Sequence, residues 1–122
     1  MYKTLNDAAQ IDPIFAAGNT KIWYANDDHP TARDLRFGEV PVNLIKNLHQ
    51  THVLIGSIQG SANLDDIFEM MQGENYSPEG QARDLIRNSG TYHTSMSVGD
   101  IIEDANGIFH LVSGIGFTVL GN

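Results

Sequence analysis

The sequence predicts an α+β domain: an antiparallel sheet with a C-terminal hairpin, carrying two or three short helices packed on it. Three observations predict it. Asn106-Gly107 lies between the apolar runs Ile101-Ile102-Glu103 and Ile108 to Val112, a strong short-range hairpin signal. Leu64, Ile67, Phe68 and Met71 recur at i, i+3, i+4 and i+7, the stripe of a half-buried helix. Thr20 to Ala25 and Thr51 to Ile58 are rich in β-branched and aromatic residues, so strands precede the helices as well as follow them.

In order, residues 1–18 read as a helical lead, with Leu5, Ala8, Ala9 and Ile11 loosely in register and Asp12-Pro13 restarting the turn. In the strand Thr20 to Ala25, Ile22 and Tyr24 share one face and Trp23 takes the other. Asn26 to Pro30 breaks the pattern with turn formers. Thr31 to Gly38 reads as loop or a single turn, with Phe37 as its anchor to the core. Pro41 to Leu48 reads two ways: Leu44, Ile45 and Leu48 fit a short helix starting near Asn43, with a strand as the lesser option. The continuous apolar run in Thr51 to Ile58 suggests a central strand covered on both faces. Asn63 begins the clearest helix, whose outer side carries Asp65, Asp66 and Glu69, and Gly73 is placed to end it. Ser77-Pro78 opens another helix, with Ala82, Leu85 and Ile86 inward and Arg83 and Arg87 as a small basic face. Asn106 and Gly107 are expected to share positive φ in a two-residue turn. Ser113 to Gly116 forms a corner before a closing strand, Phe117 to Leu120.

A chain of 122 residues is most simply one domain able to bury a core without staples. There is no Cys, which excludes disulfides and thiolate metal sites. Neither a secretory signal nor an apolar run of membrane-spanning length is present, so the expected location is cytoplasmic. Fifteen acidic side chains against seven basic ones give a formal charge of −8, which argues against direct nucleic-acid binding.

The run His93-Thr94-Ser95-Met96-Ser97-Val98-Gly99-Asp100 concentrates the chemistry. In an extended chain His93, Ser95 and Ser97 point the same way, aligning an imidazole with two hydroxyls. No glycine elbow or helix start accompanies them to build an oxyanion hole. Turn architecture is the better reading: Ser97 and Asp100 bond to backbone amides while Gly99 permits the shape. His49, His52, His93 and His110 lack the spacing of a metal motif, and the scattered glycines form no phosphate loop. No cofactor and no catalytic residue are assigned.

Thr51 to Gln59, Leu64 to Gly80, and His93 to Ile102 with Gly116-Phe117 resemble the YodL-like family, small proteins of phages, plasmids and conjugative elements. The shared mark is a Ser-x-Ser-Val-Gly/Ser-Asp-Val/Ile run, then a short hairpin, then Gly-Phe. Here Ser95, Ser97, Gly99, Asp100, Asn106, Gly107, Gly116 and Phe117 carry it. The resemblance covers residues 50–120 of a single domain 1–122, and residues 1–49 carry none. It implies a mobile-element origin and a counter-defence or establishment role in an infected or carrying bacterial host, with no reaction to transfer.

The expected function is that of a non-enzymatic accessory protein that binds a host protein. Asp65, Asp66, Glu69 and Glu74 would face a basic partner surface. The alternative is sequestration of a nucleotide signal near His93, Ser95, Arg83 and Arg87, since phosphates favour forked guanidinium contacts. A hydrolase using His93 and Ser95 comes third.

Overall fold

A computed structural model describes residues 20–58, 63–72, 91, 93 and 95–121. Among the described residues, five antiparallel strands form one sheet: β1 (Thr20–Ala25), β2 (His52–Ile58), β3 (Ile101–Glu103), β4 (Phe109–Ser113) and β5 (Gly116–Gly121). Their order is β2-β1-β3-β4-β5. Three short helices accompany them among those residues: α1 (Pro30–Arg36), α2 (Leu48–Thr51) and α3 (Leu64–Met70). The architecture is α+β with a C-terminal hairpin. Among the described residues, no helix is long and apolar enough to cross a membrane.

The two-residue period of β1 divides the core between the two faces of the sheet. Ile22 and Tyr24 join Ile55, Ile102 and Val112 on one face, against Ile67 and Met71 at α3 and against Met96. Trp23 joins Ile101 and Leu111 on the other, against Leu35 of α1 and Leu44 and Leu48 at α2. Register supports this split, with Ile22 opposite Ile102 and Trp23 opposite Ile101. Helices therefore cover both faces.

Several sequence expectations are corrected. The Thr31 to Gly38 stretch is largely helix: Pro30 occupies the first helical position, and the His29 ring caps it by accepting the Thr31 N–H at Nδ1, 3.1 Å. A histidine cap is outside the usual Ser/Thr/Asp/Asn set, which hides this helix from pattern reading. Phe37 is no anchor, being 73% exposed, and Leu35 fills the core instead. The segment 42–47 is a series of turns, and the assigned helix begins only at Leu48. β2 lies at the end of the described sheet order with Leu54 exposed, so it is not a central strand. The continuous apolar run misled because its other residues, such as Ile55, are buried by β1 and α3 from one side.

The hairpin turn also differs. Gly107 N–H donates to the Asp104 carbonyl at 3.0 Å, so Ala105 and Asn106 are the central residues and Gly107 closes the turn at φ +78°. Asp104 organises it, its Oδ1 accepting the N–H groups of Asn106 and Ile108. That side chain makes a four-residue turn more favourable than the two-residue Asn-Gly form. The expected lead over residues 1–18, the Ser77-Pro78 helix and the Gly73 stop lie outside the described residues.

Candidate functional site

Ser97 to Asp100 folds as a turn closed twice. Asp100 N–H donates to the Ser97 carbonyl at 3.0 Å, and Ser97 N–H donates back to Asp100 Oδ2 at 2.8 Å. Gly99 has φ +101°, and a Cβ there would stand 3.2 Å from Leu35 Cβ. Both the backbone shape and the close approach of α1 therefore call for glycine. The turn leads into β3, with Gly99 N–H donating to the Val112 carbonyl and Val112 N–H to the Asp100 carbonyl.

Asp100 is 0% exposed. Its Oδ1 accepts the Ala25 N–H at the end of β1, 2.8 Å away. His93 Nε2 lies 2.8 Å from Oδ1 and 2.9 Å from Oδ2 of the same carboxylate. The other ring nitrogen, Nδ1, lies 2.8 Å from Asp27 Oδ2 in the turn after β1. Tyr24 stacks on the imidazole, with centroids 4.8 Å apart and planes 15° from parallel. Thr91 Oγ1 sits within reach of two acceptors, the Ala25 carbonyl (3.1 Å) and Asp27 Oδ2 (3.0 Å), and of His93 Nδ1 (2.9 Å), which accepts only when unprotonated. Asp27 also accepts the His93 backbone N–H and pairs with Arg36 of α1.

One imidazole thus spans two carboxylates. Burial alone would lower the His93 pKa, but the bond to Asp100 and its charge, followed by those of Asp27, outweigh it and raise it. Full burial pushes the Asp100 carboxyl up, opposed by His93 and by the N–H groups of Ala25 and Ser97. The cluster holds its proton to higher pH than an isolated histidine would.

His52 occupies the opposite kind of site. Its Nε2 donates to the Gly99 carbonyl at 2.7 Å, which leaves Nδ1 to accept from the Thr51 hydroxyl at 2.8 Å. These partners suit a neutral ring in one tautomer. Burial lowers the His52 pKa, only partly countered by the Gly99 carbonyl and the Asp100 charge. Asp100 and Gly99 therefore anchor two histidines from one turn.

Of the residues singled out in the sequence, Ser97, Gly99 and Asp100 meet His93 here. Ser95 is half-buried nearby, while the ring nitrogens of His93 are engaged by Asp27, Thr91 and Asp100. Asp65, Asp66 and Glu69 are exposed on α3. Phe117 meets Phe68 edge to face at 6.4 Å, and Gly116 has φ +128°. Glu74, Arg83 and Arg87 lie outside the described residues. Sequence reasoning missed Asp27, Tyr24, Thr91 and His52. Asp27 lay only within the turn-forming stretch Asn26 to Pro30, and no spacing rule links residues 66 positions apart. His110 is separate, its Nε2 bonded to Asp104 Oδ2 at 2.8 Å. That bond, followed by the Ile108 N–H, lowers the Asp104 pKa. No cluster of three or more metal-ligating side chains occurs among the described residues.

The cluster can hold a proton between two carboxylates, and Thr91, the hydroxyl in contact with the ring, is fully buried. Beside α3, a groove of about 360 Å³ is lined by Phe68, Val98, Val112 and Phe117, with Asp65 among its walls. No protein-family model, curated protein or solved structure matches the chain.

Proposed function

We propose that the chain is a non-enzymatic accessory protein of a phage or related mobile element, acting in the bacterial cytoplasm by binding a host protein with a basic surface. One observation carries this reading: Asp65, Asp66 and Glu69 are exposed together on α3 beside the apolar groove of Phe68 and Phe117. Ile67 and Met71 hold the same helix to the core, so the carboxylates stand on an anchored support. An acidic face beside an apolar groove suits a partner surface that pairs Lys or Arg with an aliphatic or aromatic side chain. The motif resemblance to YodL-like proteins supports the mobile-element origin. The engagement of both His93 nitrogens by carboxylates favours a binding role over hydrolysis, because the ring is not free to activate Ser95.

The test is capture of a host protein by the tagged chain, followed by binding kinetics with the purified partner. Replacing Asp65, Asp66 and Glu69 together by Asn, Asn and Gln keeps Ile67 and Met71 in place. Association should slow severalfold at low salt while dissociation changes less, with the difference shrinking as the Debye length falls toward about 8 Å. Unchanged association at low salt would remove the acidic face from the binding surface.

A further inference from the structure

We propose that Asp27, His93 and Asp100 form a proton-operated latch, which fastens His93 to the turn after β1 when the ring is charged and releases the Asp27 half when it is not. Both ring nitrogens face carboxylate oxygens at 2.8 Å, and only the imidazolium has an N–H for each. A neutral ring must turn a lone pair toward one of the two carboxylates. Geometry selects which. Asp100 is fully buried, is held by two backbone N–H groups, and meets Nε2 with both oxygens. Asp27 is partly open to solvent and has Arg36 as a second cation. Nε2 therefore keeps its proton and Nδ1 gives its proton up.

Thr91 completes the device. Its single hydroxyl proton can serve the Ala25 carbonyl or Asp27 while Nδ1 is protonated. Once Nδ1 is a lone pair, 2.9 Å away, the hydroxyl turns to it. Asp27 then loses the ring and the hydroxyl, retaining the longer bond from the His93 backbone N–H (3.2 Å) and the pairing with Arg36. The titratable groups around the ring, among the described residues, are Asp27 in the turn after β1, Arg36 on α1 acting through Asp27, Tyr24 on β1, Asp100 before β3, and His52 on β2 beyond Gly99. Two carboxylates flank it at contact distance, and the cation Arg36 stands behind Asp27 rather than against the ring, so the charged ring is favoured. The latch turns on near-neutral pH changes that leave the exposed carboxylates charged.

The experiment is a pH titration of the His93 ring nitrogens by ¹⁵N NMR in the full chain, with Asp27→Asn and Arg36→Gln as variants. The midpoint should lie above the ordinary histidine value of about 6.5. Above the midpoint Nδ1 should be the unprotonated nitrogen, and the His93 and Arg36 backbone amides should shift with the same midpoint. Asp27→Asn should lower the midpoint by removing a carboxylate. Arg36→Gln, at an exposed site that does not threaten folding, should raise it by removing the competing cation. A midpoint at or below the ordinary value, loss of the Nε2 proton first, or no response to Arg36→Gln would each overturn the latch.

Discussion

His52 and His93 are both withdrawn from water beside the same Ser97 to Asp100 turn, yet their surroundings drive them apart. His93 lies between two carboxylates and is raised. His52 lies between a hydroxyl and a carbonyl and is lowered. Burial acts in the same direction on both. What differs is whether a negative charge stands within bonding distance, and at that range a carboxylate outweighs the burial penalty where a carbonyl does not. One turn thus raises the pKa of one imidazole through its side-chain end and bonds another, whose pKa burial lowers, through its backbone end.

The severest way to break the comparison is Asp100→Ala. It leaves the Ala25 and Ser97 N–H groups and His93 Nε2 without their acceptor, and loosens the turn that presents the Gly99 carbonyl to His52. Urea denaturation at neutral pH should show a loss of about 3–5 kcal/mol. Asp100→Asn keeps an acceptor and should recover part of it. Gly99→Ala comes next, at about 1–3 kcal/mol, because the residue must hold positive φ against Leu35.

A pH series separates the two rings. The raised pKa of His93 contributes stability that is complete below about pH 6.5 and is lost as pH rises through the folded value. The lowered pKa of His52 contributes stability that is present above about pH 6.5 and is lost as pH falls through its folded value. Stability should peak between these limbs. His52→Gln should cost on the order of 1 kcal/mol at neutral pH and flatten the acid limb alone. His93→Gln should flatten the alkaline limb alone. A single limb responding to both variants would mean that the rings titrate as one unit. Asp104, with its lowered pKa, adds a further loss at lower pH as that carboxylate protonates.

Gly107→Val is the mildest test and sharpens the reading of Gly99. Gly107 also has positive φ, but nothing lies within 4 Å of its missing Cβ. Thermal melts should therefore report only the backbone cost, about 1 kcal/mol. A larger loss than that of Gly99→Ala would show that crowding by Leu35 adds little.

Local pattern made the elements legible where one side of a chain segment meets the core. The alternation of Ile22, Trp23 and Tyr24 named the faces of β1, and the stripe ending at Met71 named the buried side of α3. Pattern failed at α1, where His29 supplies the cap, and at β2, where an apolar run does not say which strand lies at the edge. At the site, Ser97, Gly99 and Asp100 were legible as a turn because their partners are three residues apart or fewer.

By itself, the sequence determined the α+β class, the hairpin, the acidic helix and a Ser-to-Asp turn with a glycine inside it. Each depends on periodicity or on hydrogen bonds between near neighbours, which residue order encodes directly. Only the tertiary structure decided that Asp100 would bind Ala25, that Asp27 would reach His93, and that burial would lower the His52 pKa beside them. The pairing of β1 with both β2 and β3 brings those residues together from separations of 47 to 75 positions. Over such distances the partner of a polar side chain follows from strand order and burial, and neither is written in the local spacing of residues.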